Sequence, residues 1–350
     1  MQRELNIAGR LIGPGHPCFV IAEAGVNHNG DVAKAEALIA AAVAAGADAV
    51  KFQTFKTEHV IAPNTAKAPY QKASTGAEES MFDMVKKLEL SYDAFRHLAA
   101  ASRQQGVLFL STPFDHESVD FLAGLGMAAF KVPSGEITNF QLVTHMASQG
   151  RPLIISTGMS TIGEADAVLQ CAERAGNTQV ALLHCVSNYP ADPAEANLRV
   201  LQTLAQAFGV PVGFSDHTLG IEVAIAAVAL GSSVIEKHFT LDCSLPGPDH
   251  RASLEPDQLR AMIQGIRKVE SALGNGIKAP SAAEKAVAAV GRRSLVAARD
   301  LASGTRLAVD MIALLRPGTG IPPTAMDYVL GRVLKQAVRA GDLLRLDNLA

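Results

Sequence analysis

Short runs of β-branched and apolar residues alternate along the chain with longer stretches in which alanine and leucine recur at helical spacing. The short runs predict strands over Cys18–Ala24, Ala47–Phe52, Val107–Ser111, Ala128–Val132, Pro152–Ser156, Val180–His184, Val210–Phe214 and Ser233–Lys237. The longer stretches predict helices over Asp31–Ala45, Asp93–Gln105, His116–Leu125, Gln141–Ser148, Ile162–Ala175, Leu198–Phe208, Leu219–Leu230 and Pro256–Leu273. Eight strand–helix units in about 250 residues is the arithmetic of a (β/α)8 barrel. A doubly wound sheet would also alternate, but the chain has no GxGxxG fingerprint. One link departs from the rhythm. Thr54 to Leu90 separates the second strand from its helix and contains the run Lys67-Ala-Pro-Tyr-Gln71. Long loops after barrel strands commonly shape active sites, the bland alternative being a solvated excursion.

The alternation stops after Gly274. Gly274-Asn-Gly276 and Pro280-Ser281 read as turn chemistry, so the expected organisation is a barrel domain over 1–275, a linker over 276–290 and a small module over 291–350. In that module the apolar runs are short and punctuated by Ser303-Gly304, Pro317-Gly-Thr-Gly320, Pro322-Pro323 and Ala340-Gly341, which suggests a β-rich fold.

Composition narrows the class. The chain has 350 residues, 48% hydrophobic and 19% charged, enough to bury a sizeable core and unlike a disordered chain. A net charge of −3 argues against nucleic acid as the main partner, because phosphate backbones select basic surfaces. No segment approaches the roughly 20 apolar residues of a membrane helix, and the N-terminus lacks the apolar core of a signal peptide. Cys18, Cys171, Cys185 and Cys243 fit neither CxxC nor zinc-finger spacing and read as reduced, cytosolic thiols. Tryptophan is absent, which argues against an aromatic sugar-stacking cleft.

The chemistry sits where the strands end. In a barrel of this type the residues past the C-terminal ends of the strands build the active site. Here those ends carry Glu23 with Asn27-His-Asn-Gly30, Lys51 with Gln53, Ser111-Thr-Pro113, Lys131 with Ser134-Gly-Glu136, Ser156-Thr-Gly158, His184 with Ser187-Asn-Tyr189, Ser215-Asp-His217 and Glu236-Lys-His238. A lysine in an apolar strand is costly unless it meets an anion or loses its proton. Lys51 and Lys131, with Ser, Thr and Gln donors nearby, suit a ligand bearing both a phosphate and a carboxylate. Each could instead pair with a carboxylate such as Glu23, or form a Schiff base. His217 and His238 lie past adjacent strands and could ligate a divalent transition ion, though a lone histidine is more often structural. Glu236 reads as a partner of that site or as a core ion pair. Thr161 with Glu164 fits a capping box, Asp115 fits a helix cap, and Cys185 fits a small buried thiol.

Several segments resemble the sialic acid synthase family: Phe19-Val-Ile-Ala-Glu-Ala-Gly-Val-Asn-His-Asn-Gly30, Val50-Lys-Phe-Gln-Thr-Phe55, Ser111-Thr-Pro-Phe114, Lys131-Val-Pro-Ser-Gly-Glu136, Ser156-Thr-Gly-Met159, Ser215-Asp-His-Thr218, Glu236-Lys-His-Phe-Thr240 and Pro246-Gly-Pro-Asp249. Arg316-Pro-Gly resembles part of that family's antifreeze-like (SAF) domain. The resemblance runs in order through essentially the whole chain. It implies an α/β fold, a (β/α)8 TIM barrel followed by a small β-clip SAF domain. It also implies condensation of phosphoenolpyruvate with an N-acylated mannosamine-type sugar in a domain-swapped cytoplasmic homodimer.

On matching positions the resemblance gives His217 and His238 a divalent ion, Mn2+ first, with Mg2+ or Co2+ as alternates. Lys51, Gln53, Thr112, Lys131, Ser134, Ser156 and Ser215 would hold the phosphate and carboxylate. Glu23 would move protons, with Glu136 as a second candidate. Tyr189 and Asp249 would contact the acceptor, and Arg316 of a second subunit its N-acyl group. Some sialic acid synthases have Asn where this chain has Ser187, close to sugar recognition. N-acetylmannosamine is the acceptor put first, giving N-acetylneuraminate. A 2,4-diacetamido-2,4,6-trideoxy mannose, giving diacetyllegionaminate, is the alternative. A Schiff-base aldolase and a non-enzymatic carbohydrate- or ice-binding protein are the rival classes.

Overall fold

The computed structural model of the protein describes all residues, Met1–Ala350, in two compact units, Met1–Gly274 and Asn275–Ala350. The first opens with an antiparallel hairpin, β1 (Leu5–Ile7) and β2 (Arg10–Ile12), turned by Ala8 and Gly9 at φ 52° and 87°. The hydrophobic pattern does not reveal it, because three-residue strands are too short for alternation to register. Eight parallel strands follow: β3 (Phe19–Gly25), β4 (Ala49–Thr54), β5 (Leu108–Pro113), β6 (Phe130–Val132), β7 (Leu153–Ser156), β8 (Val180–Cys185), β9 (Val212–Asp216) and β10 (Val234–His238). Their order is β5-β4-β3-β10-β9-β8-β7-β6, and β5 and β6 lie side by side, so the sheet curls into a nearly closed barrel. All eight strands expected from the sequence are present.

Local chemistry starts the surrounding helices. Asp31, Ser91, Asp115, Asn139 and Thr161 each accept a backbone N–H of the following helix, and Thr161 with Glu164 forms the expected capping box. The apolar core joins the outer faces of the strands to Ala35, Leu38, Ile39, Phe95, Leu98, Leu122, Met146, Val168 and Leu259 of the helices. No helix is long and apolar enough to cross a membrane.

The insertion after β4 is ordered into three short helices, Thr57–Val60, Pro69–Thr75 and Met81–Lys86. Glu89 clasps its two ends. Its carboxylate accepts from the Thr57 N–H and hydroxyl, both at 3.1 Å, and from the Lys56 and Lys86 ammoniums at 3.2 and 3.0 Å.

The second unit pairs β11 (Ser294–Ala297) with β12 (Ile312–Leu315) antiparallel over its own apolar core, which includes Leu295, Leu301, Leu307, Val329, Leu334 and Leu344. Much of the segment expected as a linker is instead a helix, Ala282–Gly291. Ser281 and Glu284 form a capping box in front of an alanine-rich run, so the turn signals at Pro280-Ser281 begin a helix rather than an extended spacer.

Candidate active site

Strand parity decides which polar residues enter the barrel. Side chains alternate across a strand, so Glu236 and His238 share one face of β10 and Lys237 takes the other. The same holds for Ser215 and Asp216 on β9. Lys237 and Asp216 pair at 2.8 Å among the outer apolar residues, both wholly buried. The inward set is brought together by register: His238 lies beside Glu23, Glu23 beside Lys51, Gln53 beside Thr112, and Glu236 beside Ser215.

The inward side chains form one buried network. The Lys51 ammonium lies 2.7 Å from a Glu23 oxygen and 3.5 Å from Glu236, and donates to the Thr112 hydroxyl at 2.8 Å. The Lys131 ammonium donates to the Ser156 hydroxyl at 2.7 Å and lies 3.8 Å from Glu236. Glu236 also accepts from the Ser215 hydroxyl at 2.9 Å, so it stands between the two lysines. Gln53 donates to Glu23 at 3.4 Å.

These surroundings push the two carboxyls apart. Burial raises Glu23 to about 7, even with Lys51 beside it. Burial acts on Glu236 in the same direction, but Lys131 and Lys51 outweigh it and hold that carboxyl at about 2. The same charges act back on the lysines. Against burial, Glu23 and Glu236 keep Lys51 above its ordinary value, whereas burial and the charge of Lys51 lower Lys131. Environments that separate two titrating carboxyls commonly separate their roles. Near neutral pH Glu236 stays ionised while Glu23 can hold or release a proton.

The histidines lie at the same mouth. Their ring centroids are 5.5 Å apart. The Nδ1 of His217 is 2.7 Å from the Val186 carbonyl, which can only accept, so Nδ1 carries a proton, and against burial Cys185 and that carbonyl hold the ring above its ordinary value. Burial and the neighbouring His217 push His238 well below the ordinary histidine value, and its buried Nδ1 has no partner. Once His217 has released its Nε2 proton, the two imidazoles fit a divalent transition ion that takes its other ligands from water and substrate. No group of three or more His, Cys, Asp or Glu side chains is arranged to hold a metal. Gly25 closes the gap between the histidines and the network. A Cβ there would lie 3.3 to 3.4 Å from Gln53, Glu23 and His238 at once.

Other expected residues fall around this centre. Ser134 accepts the Gly158 N–H at 3.0 Å, and Ser187 lies 3.7 Å from the Cys185 sulfur. A Cβ on Gly158 would fall 2.2 Å from Ser187 and 2.7 Å from Ser134, so glycine keeps that cradle open. Tyr189 packs on His217 with centroids 4.1 Å apart. Asp249 is buried, which raises it to about 6 against the opposing charge of His217. Glu136 is not drawn into the lysine network, and accepts instead from the Asn139 side chain at 2.8 Å. Arg316 is an exposed residue of the second unit. Glu236, for which the sequence allows two roles, is the hub. Tyr70, from the insertion, is not marked by the sequence as reaching the mouth, yet it stacks on Tyr189 at 5.1 Å.

Comparison with known proteins agrees with this geometry. The NeuB family profile matches residues 38–278 and the SAF domain profile residues 292–350. An N,N'-diacetyllegionaminic acid synthase of Legionella pneumophila is 46% identical, over 95% of this chain and 94% of that protein. The N-acetylneuraminate-9-phosphate synthase of Homo sapiens is 36% identical over 98% and 96%. Among solved structures, an N-acetylneuraminic acid (sialic acid) synthetase from Leptospira borgpetersenii in complex with citrate superposes with a TM-score of 0.72 at 33% identity, over 82% of this chain and 95% of that one.

Proposed function

Because the chain belongs to the NeuB family and carries a SAF domain at its C-terminus, we propose that it condenses phosphoenolpyruvate with an N-acylated mannosamine-type sugar, releasing phosphate and forming a nine-carbon 2-keto acid. The observation that carries this reading is the pair of buried lysines held around the Glu236 carboxylate. Phosphoenolpyruvate is a small ligand with a phosphate and a carboxylate, and two ammoniums with hydroxyl donors suit both.

Lys51, Lys131, Gln53, Thr112, Ser134, Ser156 and Ser215 bind and orient the two anionic groups. His217 and His238 hold a divalent ion, Mn2+ first. When bound it supplies Lewis-acid polarisation of the open-chain sugar aldehyde. Carbon 3 of phosphoenolpyruvate bonds to the aldehyde carbon, and water adds at carbon 2. Glu23 gives its proton to the former aldehyde oxygen and takes one back from that water. Cleavage of the bond from carbon 2 to the phosphate oxygen, with the proton of the carbon 2 hydroxyl passing to the departing phosphate, then leaves the keto acid. Tyr189 and Asp249 orient the acceptor, and the enzyme works as a domain-swapped homodimer.

N-acetylmannosamine, which gives N-acetylneuraminate, is the acceptor that the resemblance in the sequence puts first. Identities of 46% and 44% to two diacetyllegionaminic acid synthases, against 36% to N-acetylneuraminate-9-phosphate synthases, favour the second reading, a 2,4-diacetamido-2,4,6-trideoxy mannose. The test is phosphate release with Mn2+ and each acceptor in turn, including N-acetylmannosamine 6-phosphate, with product masses recorded. Chelator-sensitive release with one acceptor names the product. No release with any acceptor, together with borohydride trapping of a lysine adduct of a keto acid, would replace the reading with a Schiff-base aldolase.

A further inference from the structure

The insertion after β4 delivers an aromatic ring to the barrel mouth, and its own chemistry fixes where that ring goes. Ala68-Pro69 starts the helix Pro69–Thr75, with proline at its first position and the Gln71 side chain accepting the Ala68 N–H at 2.9 Å. Lys67, just before it, is buried and donates to the Thr75 hydroxyl at 2.9 Å, the Gly76 carbonyl at 3.1 Å and Glu79 at 3.1 Å. These bonds tie the start of the helix to its end.

Tyr70 therefore projects from a fixed support. Its ring stacks on Tyr189 with centroids 5.1 Å apart and planes at 28°. Tyr189 in turn lies 4.1 Å from the His217 ring and meets His238 edge-on at 5.6 Å. His217 is held from the same loop as Tyr189, through its bond to the Val186 carbonyl. The series Tyr70, Tyr189, His217 thus joins the insertion to the histidine pair through ring contacts. Burial and then the charge of Asp249 raise the Tyr70 phenol, which places Asp249 near the same stack.

We propose that Tyr70 is a positioning residue for the acceptor sugar, setting the angle of Tyr189 over the histidine pair by stacking on it. The proposal rests on the acceptor reading above. It gives the insertion a role in recognition, because a loop that moved would release Tyr189. Sugar recognition would then weaken while phosphoenolpyruvate binding would not. The ring does this work, so the hydroxyl is dispensable.

The experiment compares Tyr70→Ala and Tyr70→Phe in the full-length protein. Aromatic stacking is worth a factor of about three to ten, so Tyr70→Ala raises the acceptor KM by about three- to tenfold and leaves the phosphoenolpyruvate KM within about twofold. Tyr70→Phe keeps both at their wild-type values. If Tyr70→Ala leaves acceptor KM and kcat within about twofold of wild type, or if Tyr70→Phe fails as badly as Tyr70→Ala, the stacking role is wrong. A binding readout separates this from the substrate assignment. The chain has no tryptophan, so Tyr70→Trp installs a single tryptophan, which can be excited apart from the remaining tyrosines. Adding Tyr189→Ala to that variant shifts the emission if the rings stack, whether or not any sugar is turned over. An unchanged emission overturns the proposal. A shift, with no turnover of any sugar by the wild-type protein, overturns only the acceptor reading.

Discussion

His28 offers a quantitative test of the loop that leads out of β3. Its side chain is wholly buried. Its Nδ1 accepts the Gly30 N–H at 3.0 Å, so the ring proton sits on Nε2, which has no partner. Protonating Nδ1 would aim a second donor at that N–H. Burial accordingly pushes the ring down from 6.5 to about 4, against a smaller opposing pull from Asp31. Between those two values the unfolded chain binds more protons than the folded one, so stability rises with pH across that window. The contribution is complete above about pH 6.5 and is lost as the pH falls towards 4. Each pH unit below 6.5 removes about 1.4 kcal/mol, so the loss from this ring is about 2 kcal/mol at pH 5 and about 3 kcal/mol at pH 4. Other titrating groups contribute too, so the comparison is with His28→Asn, whose amide oxygen can accept the Gly30 N–H without titrating. Urea unfolding followed by far-ultraviolet circular dichroism at pH 7, 6, 5 and 4 gives both stability curves. The gap between them should change by about 2 kcal/mol from pH 7 to pH 5, the wild type losing more. Curves that stay parallel within about 0.5 kcal/mol would refute the assignment of a buried neutral ring.

Three further outcomes follow from positions with different chemistry. Gly213→Ala would place a Cβ 2.5 Å from both Leu183 Cδ2 and the Val234 carbonyl oxygen, and the backbone cannot swing aside. It should cost about 1–3 kcal/mol or more by urea unfolding, and an unchanged midpoint would contradict the packing described for β9. Gly158→Ala meets only side-chain ends, those of Ser187, Ser134 and Cys185. It should raise the phosphoenolpyruvate KM while moving Tm little, and the reverse pattern would count against a ligand cradle there. Chelation should abolish phosphate release and added Mn2+ restore it, whereas His238→Ala should stay inactive with Mn2+ present. Full turnover by that variant would remove the metal from the mechanism.

Much of this fold is legible in the sequence because each barrel strand is a short apolar run between strong turn and cap signals. Asp31, Asp115 and Thr161 announce their helices directly, since one side-chain oxygen near a free N–H suffices. The hairpin of β1 and β2 and the helix Ala282–Gly291 escape the pattern for opposite reasons. The first is too short for a pattern, and the second hides behind a proline and a serine that read equally well as a linker.

The site divides along the same physical line. That Lys51, Lys131 and the histidines gather at one mouth follows from their places at strand ends, which sequence marks well. The centrality of Glu236 is also within reach. It stands two residues from His238 on the same strand, so any register that points His238 inward points Glu236 inward and turns Lys237 out. Applying that parity to β9 sends Ser215 inward and Asp216 out to meet Lys237. A buried carboxylate between two strand-end lysines then needs no alignment to predict. Tyr70 is different in kind. Its arrival beside Tyr189 depends on how the insertion folds back across the mouth, which is set by bonds among Lys67, Thr75, Gly76 and Glu79 rather than by any periodicity. Residues placed by regular strands can be read from spacing, whereas a residue placed by an irregular loop is found only when the loop itself is seen.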